Sequence, residues 1–445
     1  MSKVRPISGF PEWLPSERVV EQHFVDVIRE TFELHGFASI QTRAVEPIER
    51  LTSLGEDTDK EIYAISRLAA GIEDTDEKSA RSRLGLHFDL TVPFARYVLE
   101  NAGKLTFPFR RYQIQPVWRG ERPQEGRFRE FIQCDIDIVD VGELAPHYEA
   151  ELPLVVADAF SKLPIGPFRI QVNNRKIPEG FYLGMGLTDV KSVLRIVDKL
   201  DKIGPGKVFD LLLATGATDE QAKGALALAA ISSPDESFVE RVQALGVKHE
   251  TLTEGLAELA AVIRVGAEHA SGLMVADLKV ARGLDYYTGT VYETQLIGLE
   301  SYGSICSGGR YDALASDGKT TYPGVGISIG LSRLLAKIMP SLSASRSTPS
   351  CVLVSLADES DRAQGMAVAA ALRRRGIPCE VAPAAAKFGK QIMFAQRRGI
   401  PFVWFPASGD QTGDSVKDIR SGAQTVADAS SWLPPEEDLR PHVVA

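Results

Sequence analysis

Two runs of alternating residues constrain this chain most. Phe107 to Trp118 and Phe128 to Val139 both read as β-strands, and the nine residues between them, Arg119 to Arg127, are polar and contain proline and glycine. This predicts an antiparallel hairpin with a long tip. Side chains alternate between the two faces of a strand. In the second run Gln133, Asp135 and Asp137 share one face, and Cys134, Ile136 and Ile138 the other. In the first run Gln113, Gln115 and Arg119 lie opposite Tyr112, Ile114 and Trp118. One face is therefore apolar and is expected to pack on a core, while the other carries amides, carboxylates and arginines. Between residues 110 and 129 six arginines (Arg110, Arg111, Arg119, Arg122, Arg127, Arg129) meet only Glu121 and Glu125, a local surplus of four positive charges. The guanidinium fork fits phosphate oxygens bidentately. A solvated charged hairpin would also carry arginines. The strand parity is what favours a site for a polar, cationic substrate together with a phosphate donor.

Around this hairpin the chain has 445 residues, which suggests about three domains. Lys and Arg number 50 against 59 Asp and Glu, for a net charge of −9. That excludes a protein that coats itself indiscriminately with nucleic acid, although a sum hides local patches. One such patch is residues 361–420, where ten Lys/Arg face five acids, before an acidic end at Asp428, Glu436, Glu437 and Asp438. Cys134, Cys306, Cys351 and Cys379 form no C-x-x-C, so a reduced, cytoplasmic chain is expected. The seven histidines make neither H-E-x-x-H nor a finger spacing, so no zinc site is expected. There is no apolar signal core and no run of 18 apolar residues, so neither export by that route nor a membrane span is expected. Gly318-Lys319-Thr320 lacks the earlier glycine of a P-loop, because position 313 is Ala. Gly324-Val-Gly326-Ile-Ser-Ile-Gly330 misses the dinucleotide spacing by one residue, and no G-x-S-x-G occurs.

Along the chain, Val20, Phe24, Val27, Ile28 and Phe32 recur at helical spacing after Pro15, with Ser16 as a candidate cap and Gly36 as a stop. Phe37 to Pro47 reads as a strand, 57–80 as a charged loop, and the texture from 86 onward as β. Residues 170–270 read as mostly helical, 272–311 as strand-rich, and Ile329 to Met339 as a helix. A Ser/Pro-rich stretch from Pro340 to Pro349 reads as a linker. Beyond it, strand (351–356), helix (361–375), strand (377–382), helix (387–398) and strand (400–405) alternate, which predicts a small α/β domain with a largely parallel sheet.

The segment Arg119-Gly-Glu-Arg-Pro-Gln-Glu-Gly-Arg127-Phe-Arg-Glu-Phe-Ile-Gln133-Cys-Asp-Ile-Asp137 resembles motif 2 of class II aminoacyl-tRNA synthetases, in its histidyl version. Leu86-His-Phe-Asp89-Leu90-Thr91-Val-Pro93 resembles the family's amino-acid-binding segment. Ala281-Arg282-Gly-Leu-Asp285-Tyr286-Tyr287 resembles the loop peculiar to histidyl enzymes. Ser307-Gly-Gly-Arg310-Tyr311-Asp312 and Gly324 to Arg333 resemble its glycine-rich segment and motif 3, and the helix at 16–35 with the strand ending at Pro47 suits motif 1.

The resemblance implies an α+β architecture. A class II antiparallel-sheet catalytic domain would span 1–169 and 271–340, with a mostly helical insertion domain at 170–270. A linker at 341–350 would lead to an anticodon-binding α/β domain at 351–445. It implies a homodimeric histidine–tRNA ligase that takes L-histidine, ATP and tRNA(His) and uses Mg2+ with ATP, without zinc or an organic cofactor, and no side-chain metal ligand is singled out. Arg119 and Arg282 would be the catalytic cations, Arg282 standing where other class II enzymes place a metal ion. Asp89, Leu90, Thr91 and Gln133 would hold the amino-acid backbone with Arg119. Asp137 and Tyr287, with Tyr286 nearby, would bind the imidazole. Glu121, Arg127 and Arg333 would complete the ATP site with Arg119. Arg310-Tyr311-Asp312 could belong to the site or simply brace the sheet. The alternative is a catalytically silent paralogue that regulates the ATP phosphoribosyltransferase of histidine biosynthesis.

Overall fold

A computed structural model describes residues 4–52, 61–66, 83–281, 286–407 and 413–444. Two compact units emerge. One comprises Met1–Pro11 and Val27–Lys337, the other Glu12–Asp26 and Ile338–Ala445.

The first unit is organised by a nine-stranded sheet. In chain order its strands are β1 (Ala38–Ser39), β2 (Phe109–Trp118), β3 (Glu130–Val139), β4 (Phe168–Asn174), β5 (Ser232–Ser233), β6 (Met274–Asp277), β7 (Thr290–Leu296), β8 (Cys306–Tyr311) and β9 (Gly324–Gly330). Their order in the sheet is β1-β2-β3-β9-β8-β7-β4-β6-β5. Every pairing from β2 to β4 is antiparallel, and the two parallel pairings are β1/β2 and β4/β6. The hairpin expected from strand parity is β2/β3. Its register sets Arg111 opposite Asp137, Gln113 opposite Asp135 and Gln115 opposite Gln133. On the other side of β3, β9 sets Gly326 opposite Asp137 and Ser328 opposite Asp135. Cys134, Ile136 and Ile138 are fully buried, as an apolar face requires, but Arg111, Gln113, Asp135 and Asp137 are buried too. The polar face is thus sunk in the protein, and its groups must find partners there.

Three local expectations change. The β texture after residue 86 yields only the short strand Leu84–Leu86 before a helix, Thr91–Asn101. The Asp89 carboxylate accepts the Val92 N–H at 3.2 Å, satisfying one of the free donors of the first turn. Phe94 and Val98, one turn apart, then bury against Val139 and Tyr311. Phe37 to Pro47 is two strands, because its halves pair differently: Ala38–Ser39 with β2, and Val45–Pro47 with Leu84–Leu86. Ser16 does not cap the first helix, Pro15–Leu34, which begins one residue earlier with proline, a residue suited to a first turn. Glu17 instead accepts the Leu14 N–H at 2.7 Å. Of the expected helical insert, residues 170–174 lie in β4. Helices Lys176–Gly184, Val190–Val197, Leu200–Ala214, Asp219–Ala229, Phe238–Gln243 and Glu250–His269 account for most of the remainder.

In the second unit the strands β10 (Val352–Val354), β11 (Cys379–Val381), β12 (Phe402–Phe405), β13 (Ser415–Asp418) and β14 (Gln424–Val426) run in the order β11-β10-β12-β13-β14. The first three are parallel, as the alternation predicted, and two further antiparallel strands extend the sheet. Helices Arg362–Arg374 and Phe388–Arg398 are the crossovers. The stretch expected to be a linker is tied down. Ser343–Ala344 pairs with Val443–Val444, and the Ser345 N–H donates to the His442 carbonyl at 2.9 Å. Its Ser/Pro composition signalled flexibility, but these backbone bonds use its polar groups.

The basic patch at 361–420 is also reduced. Arg373 donates to the Cys379 carbonyl, and Arg375 to those of Ala429, Ser431 and Trp432. Arg362, Arg398 and Arg420 pair with Glu359, Glu380 and Asp418 with Asp438, respectively. Arg374, Lys387, Lys390, Arg397 and Lys417 make no ion pair among the described residues.

Trp404 is fully buried in β12 and donates its indole N–H to Asp414 at 2.8 Å. Trp404→Ala should destabilise the second unit by about 3–5 kcal/mol, the usual cost of emptying an aromatic site. Urea denaturation followed by circular dichroism would show this as an early transition, and an unshifted curve would contradict it.

Candidate active site

The site is built on Asp137 in the middle of β3. Arg111 lies across the β2/β3 ladder, and its Nη2 stands 2.5 Å from Asp137 Oδ2, with both side chains almost wholly buried. The Tyr311 hydroxyl donates to Oδ1 at 2.7 Å. On the β9 side of the carboxylate, β9 and β8 carry glycines at Gly326 and Gly308. A Cβ at Gly326 would overlap Asp137, and one at Gly308 would overlap the Gly326 carbonyl. The glycine-rich segments thus serve close approach at these two positions, not phosphate binding. A small cavity beside Asp137 is also lined by Thr91, Asp135, Tyr287, Ser307 and Ser328, among others.

Asp135, two residues back on β3, is buried with one oxygen lacking a hydrogen-bond partner among the described residues. Gln133 donates to Ser328 Oγ at 2.8 Å, while its own carbonyl oxygen is likewise buried and unmatched. Asp89 and Thr91 stand at the start of the helix Thr91–Asn101, and Leu90 between them is fully buried in the core. Arg119, one residue past β2, donates Nε–H to the Phe88 carbonyl at 2.9 Å and lies over the Phe131 ring at 5.1 Å. Its positive charge acts on both Asp89 and Asp135. Unmatched buried acceptors facing a cavity are groups that a ligand's donors can satisfy.

Burial dominates the electrostatics. It raises Asp89 and Asp135 to about 6, with Arg119 and Arg111 pulling the other way. It raises Asp137 to about 7, against the attraction of Arg111 and the Tyr311 hydroxyl. Three carboxyls held this far up are poised to gain from a cationic ligand.

Tyr286 and Tyr287 complete this end. Their ring centroids are 4.6 Å apart, and Tyr286 meets Tyr311 edge-on at 6.3 Å. A Cβ at Gly309 would strike the Tyr287 ring at 2.7 Å, so that glycine too makes room for the site. Arg282 and Asp285 fall outside the described residues.

A second cluster lies at the hairpin tip. Arg127 pairs with Glu121 at 3.2 Å. Arg333, in the first turn of the helix Leu331–Ile338, donates to the carbonyls of Ser304, Tyr302 and Gly126. Its guanidinium lies 4.5 Å from the centre of the Tyr302 ring, and it feels the charges of Arg127 and Glu121. The structure therefore brings the residues expected for amino-acid and nucleotide binding into two groups, with Arg119 in the first.

Some of the expected arrangement is revised. The surplus of arginines is not all at the tip. Arg110 pairs with Glu151, and Arg111 with Asp137, near the open end of the hairpin. Residues 119–129 keep four arginines against two glutamates. Arg310 braces the sheet through Glu149 at 2.7 Å and Asp312 at 3.1 Å, whereas its neighbour Tyr311 reaches the site. Arg111 and Tyr302 were not anticipated as site residues. The parity that placed Gln113 and Gln115 on the polar face also places Arg111 there, two residues earlier. Tyr302 gives no such signal, since it sits in a turn between β7 and β8.

The chain matches the family model described as "Histidyl-tRNA synthetase" over residues 9–334. It is 59% identical over 454 residues to the histidine–tRNA ligase of Cutibacterium acnes (strain DSM 16379 / KPA171202), covering 100% of this chain and 99% of that protein. Among solved structures it is similar to a histidyl-tRNA synthetase from Nostoc sp. PCC 7120, with a TM-score of 0.83 and 34% identity, covering 96% of this chain and 98% of that one. An ATP phosphoribosyltransferase regulatory subunit/histidyl-tRNA synthetase from Bacillus halodurans C shares the fold, with a TM-score of 0.71 at 17% identity, covering 88% of this chain and 97% of that one.

The raised carboxyl of Asp137 has a consequence for stability. It ionises at about 7 in the fold, against about 4 in an unfolded chain. Between those values the folded state holds a proton that the unfolded state has released. Its contribution is therefore full below about pH 4 and is lost as pH rises through about 7. Thermal midpoints of the unliganded protein should fall over this window, and less steeply in Asp137→Asn. Equal slopes would show that Asp137 titrates normally.

Proposed function

The chain belongs to the histidyl-tRNA synthetase family, and from that premise we propose that it activates L-histidine with ATP and transfers it to the 3′-terminal adenosine of tRNA(His). The observation that carries this reading is Asp137, a buried carboxylate on a glycine floor beside Tyr287. Each Asp137 oxygen already has one partner, Arg111 or Tyr311. A carboxylate oxygen has two lone pairs, so an imidazole N–H can still be accepted. The Tyr287 phenol would serve the other ring nitrogen. A ligand that lacks these groups leaves buried polar atoms unpaired, which is how such a site rejects other amino acids by ~10⁴ without editing.

Asp89, Thr91 and Gln133 would hold the α-amino group and backbone. Leu90 would shape the site from the core side. Arg119 would grip the substrate carboxylate and the α-phosphate. The carboxylate oxygen attacks the α-phosphorus, the bond to the β-phosphate oxygen breaks, and pyrophosphate leaves. In the second step the ribose hydroxyl of the terminal adenosine attacks the aminoacyl carbonyl, and AMP departs. A fixed cation aimed at charge that develops during attack is strong electrostatic catalysis. Arg282, by the family resemblance, would supply a second cation from the opposite side. Arg333 rests one face on Tyr302, so adenine would stack on the other, with Arg127 and Glu121 nearby. Among the described residues no group of three or more His, Cys, Asp or Glu is placed to hold a metal ion. Magnesium would enter as part of the substrate MgATP, neutralising the β- and γ-phosphates.

Arg374, Lys387, Lys390, Arg397 and Lys417, which make no ion pair among the described residues, are candidates for the tRNA contact, and the helical segment up to residue 270 remains the proposed insertion domain. A homodimer working in the cytoplasm is part of the same proposal. Among the described residues no helix is long and apolar enough to cross a membrane. The regulatory alternative would be expected to lack the tRNA-binding domain and part of the histidine loop, yet Tyr286, Tyr287 and residues 351–430 are present.

Histidine-dependent ATP–pyrophosphate exchange by the purified protein tests the proposal, and its absence would overturn it. Arg119→Ala should lower the exchange rate by roughly 10²–10³. Arg282→Ala should slow exchange while largely sparing histidine affinity. Asp137→Ala should raise the histidine KM, and unaltered histidine binding would remove Asp137 from the imidazole site.

A further inference from the structure

Two buried carboxyls project from the same face of β3, and they are provided for differently. Asp137 is met by Arg111 on one oxygen and by the Tyr311 hydroxyl on the other. Asp135 is as deeply buried, at 2% exposure, yet its Oδ1 has no hydrogen-bond partner among the described residues. A buried acceptor left unmatched costs the fold free energy. Both carboxyls line the small cavity that Thr91 and Tyr287 also line, so a bound molecule can reach that oxygen.

The neighbours of Asp135 define the donor it lacks. Two residues along a strand span about 7 Å, which is the order of the distance between the far ring nitrogen of histidine and its α-ammonium. With the imidazole at Asp137, the ammonium comes to the level of Asp135. Gln133 is four residues from Asp137, but its side chain leans back along the strand. Its Nε2 donates at 2.8 Å to Ser328, the residue that β9 sets opposite Asp135. The carbonyl oxygen of Gln133 is buried and unmatched as well. An ammonium carries three N–H donors, enough for Asp135 Oδ1, Gln133 Oε1 and one acceptor more.

Charge points the same way. Arg111 is committed to Asp137, and Arg119 is the other cation that acts on Asp135. Asp89 and Asp137 each feel the negative charge of Asp135, so these three carboxyls share two arginines. In the proposed reaction Arg119 serves the substrate carboxylate, and in an amino acid the ammonium sits one carbon away. An arginine and a carboxylate that act on each other thus match the two charges of the substrate's backbone.

We infer that Asp135 is a specificity-determining residue whose unmatched Oδ1 receives the α-ammonium of the amino acid, together with Gln133. The inference rests on reading the pocket as the histidine site, and it adds to that site a group selecting for a charged α-amine. A neutral amide in its place still offers an acceptor, but a charge-assisted hydrogen bond is roughly twice as strong as a neutral one.

The test is equilibrium binding of L-histidine and of its desamino analogue, imidazolepropionate, to the full chain by isothermal titration calorimetry. At about pH 8 a carboxyl held at about 6 is ionised. Histidine-dependent ATP–pyrophosphate exchange by the wild-type protein checks the functional reading separately. Asp135→Asn keeps the volume and removes the charge. It should weaken histidine binding about tenfold and change that of imidazolepropionate by less than about twofold. Its thermal midpoint without ligand should be no lower than that of wild type, because at this pH the buried, ionised carboxyl opposes folding. Equal losses for the two ligands or an unaltered histidine affinity would overturn the inference. A lowered midpoint or a failure to fold would do so too, since Asp135 would then be a brace of the sheet.

Discussion

The pairing of Arg111 with Asp137 is the constraint around which the first unit is arranged. Burying two charges costs several kcal/mol per ion unless they are paired and their remaining valences satisfied. Here Arg111 faces Asp137, donates to Gln113 and lies 4.3 Å from the centre of the Phe94 ring, while its Nε finds no hydrogen-bond partner among the described residues. Asp137 also accepts from Tyr311. The pair therefore ties together β2, β3, β8 and the helix that follows Asp89. Because Gly326 and Gly308 lie beneath it, Asp137 can sit on the sheet with a cavity beside it. A side chain at Gly326 would occupy the carboxylate's own space, and one at Gly308 would strike the Gly326 backbone beside it.

The two ends of the site are made of different material. At the proposed amino-acid end, Gln133 and Asp137 project from one face of a single strand, four residues apart, and ladder hydrogen bonds fix their spacing. Discrimination between similar amino acids needs that rigidity, since it depends on leaving specific polar atoms unpaired. At the proposed nucleotide end, Glu121 and Arg127 belong to the hairpin tip, and Arg333 reaches back to carbonyls in two loops. A phosphate chain makes charge-dominated contacts that tolerate more adjustment.

Charge was the sequence property most altered by folding. The net −9 excludes indiscriminate nucleic-acid binding, and two basic segments stand out against it. In the structure much of that basic charge is internal bracing. Arg110, Arg111, Arg373, Arg375, Arg398 and Arg420 all bond to carboxylates or backbone carbonyls. Counting charges along a segment cannot separate an arginine that meets a phosphate from one that closes a helix end. Among the described residues, Arg374, Lys387, Lys390, Arg397 and Lys417 make no ion pair, which leaves a smaller basic surface than the ten Lys/Arg of 361–420 suggest.

The sequence by itself determined the hairpin, its parity and the α/β alternation of the second unit, because period-two and period-3.6 patterns report which face is buried. It also carried the motif residues in order, so the family was legible from them. It did not determine the helix Thr91–Asn101, the division of Phe37 to Pro47 into two strands, or the anchoring of residues 343–345 against the C-terminal residues. Each of these depends on which partner a short segment meets, a matter of distant backbone groups with no local signal. The same holds within the site. Parity could place Arg111 on the polar face, but only the ladder register set it opposite Asp137, and only the meeting of β8 with β3 through β9 brought Tyr311 onto the same carboxylate. Tertiary structure decided these contacts because a buried charge is stabilised by whatever surrounds it in space, and sequence spacing does not record that.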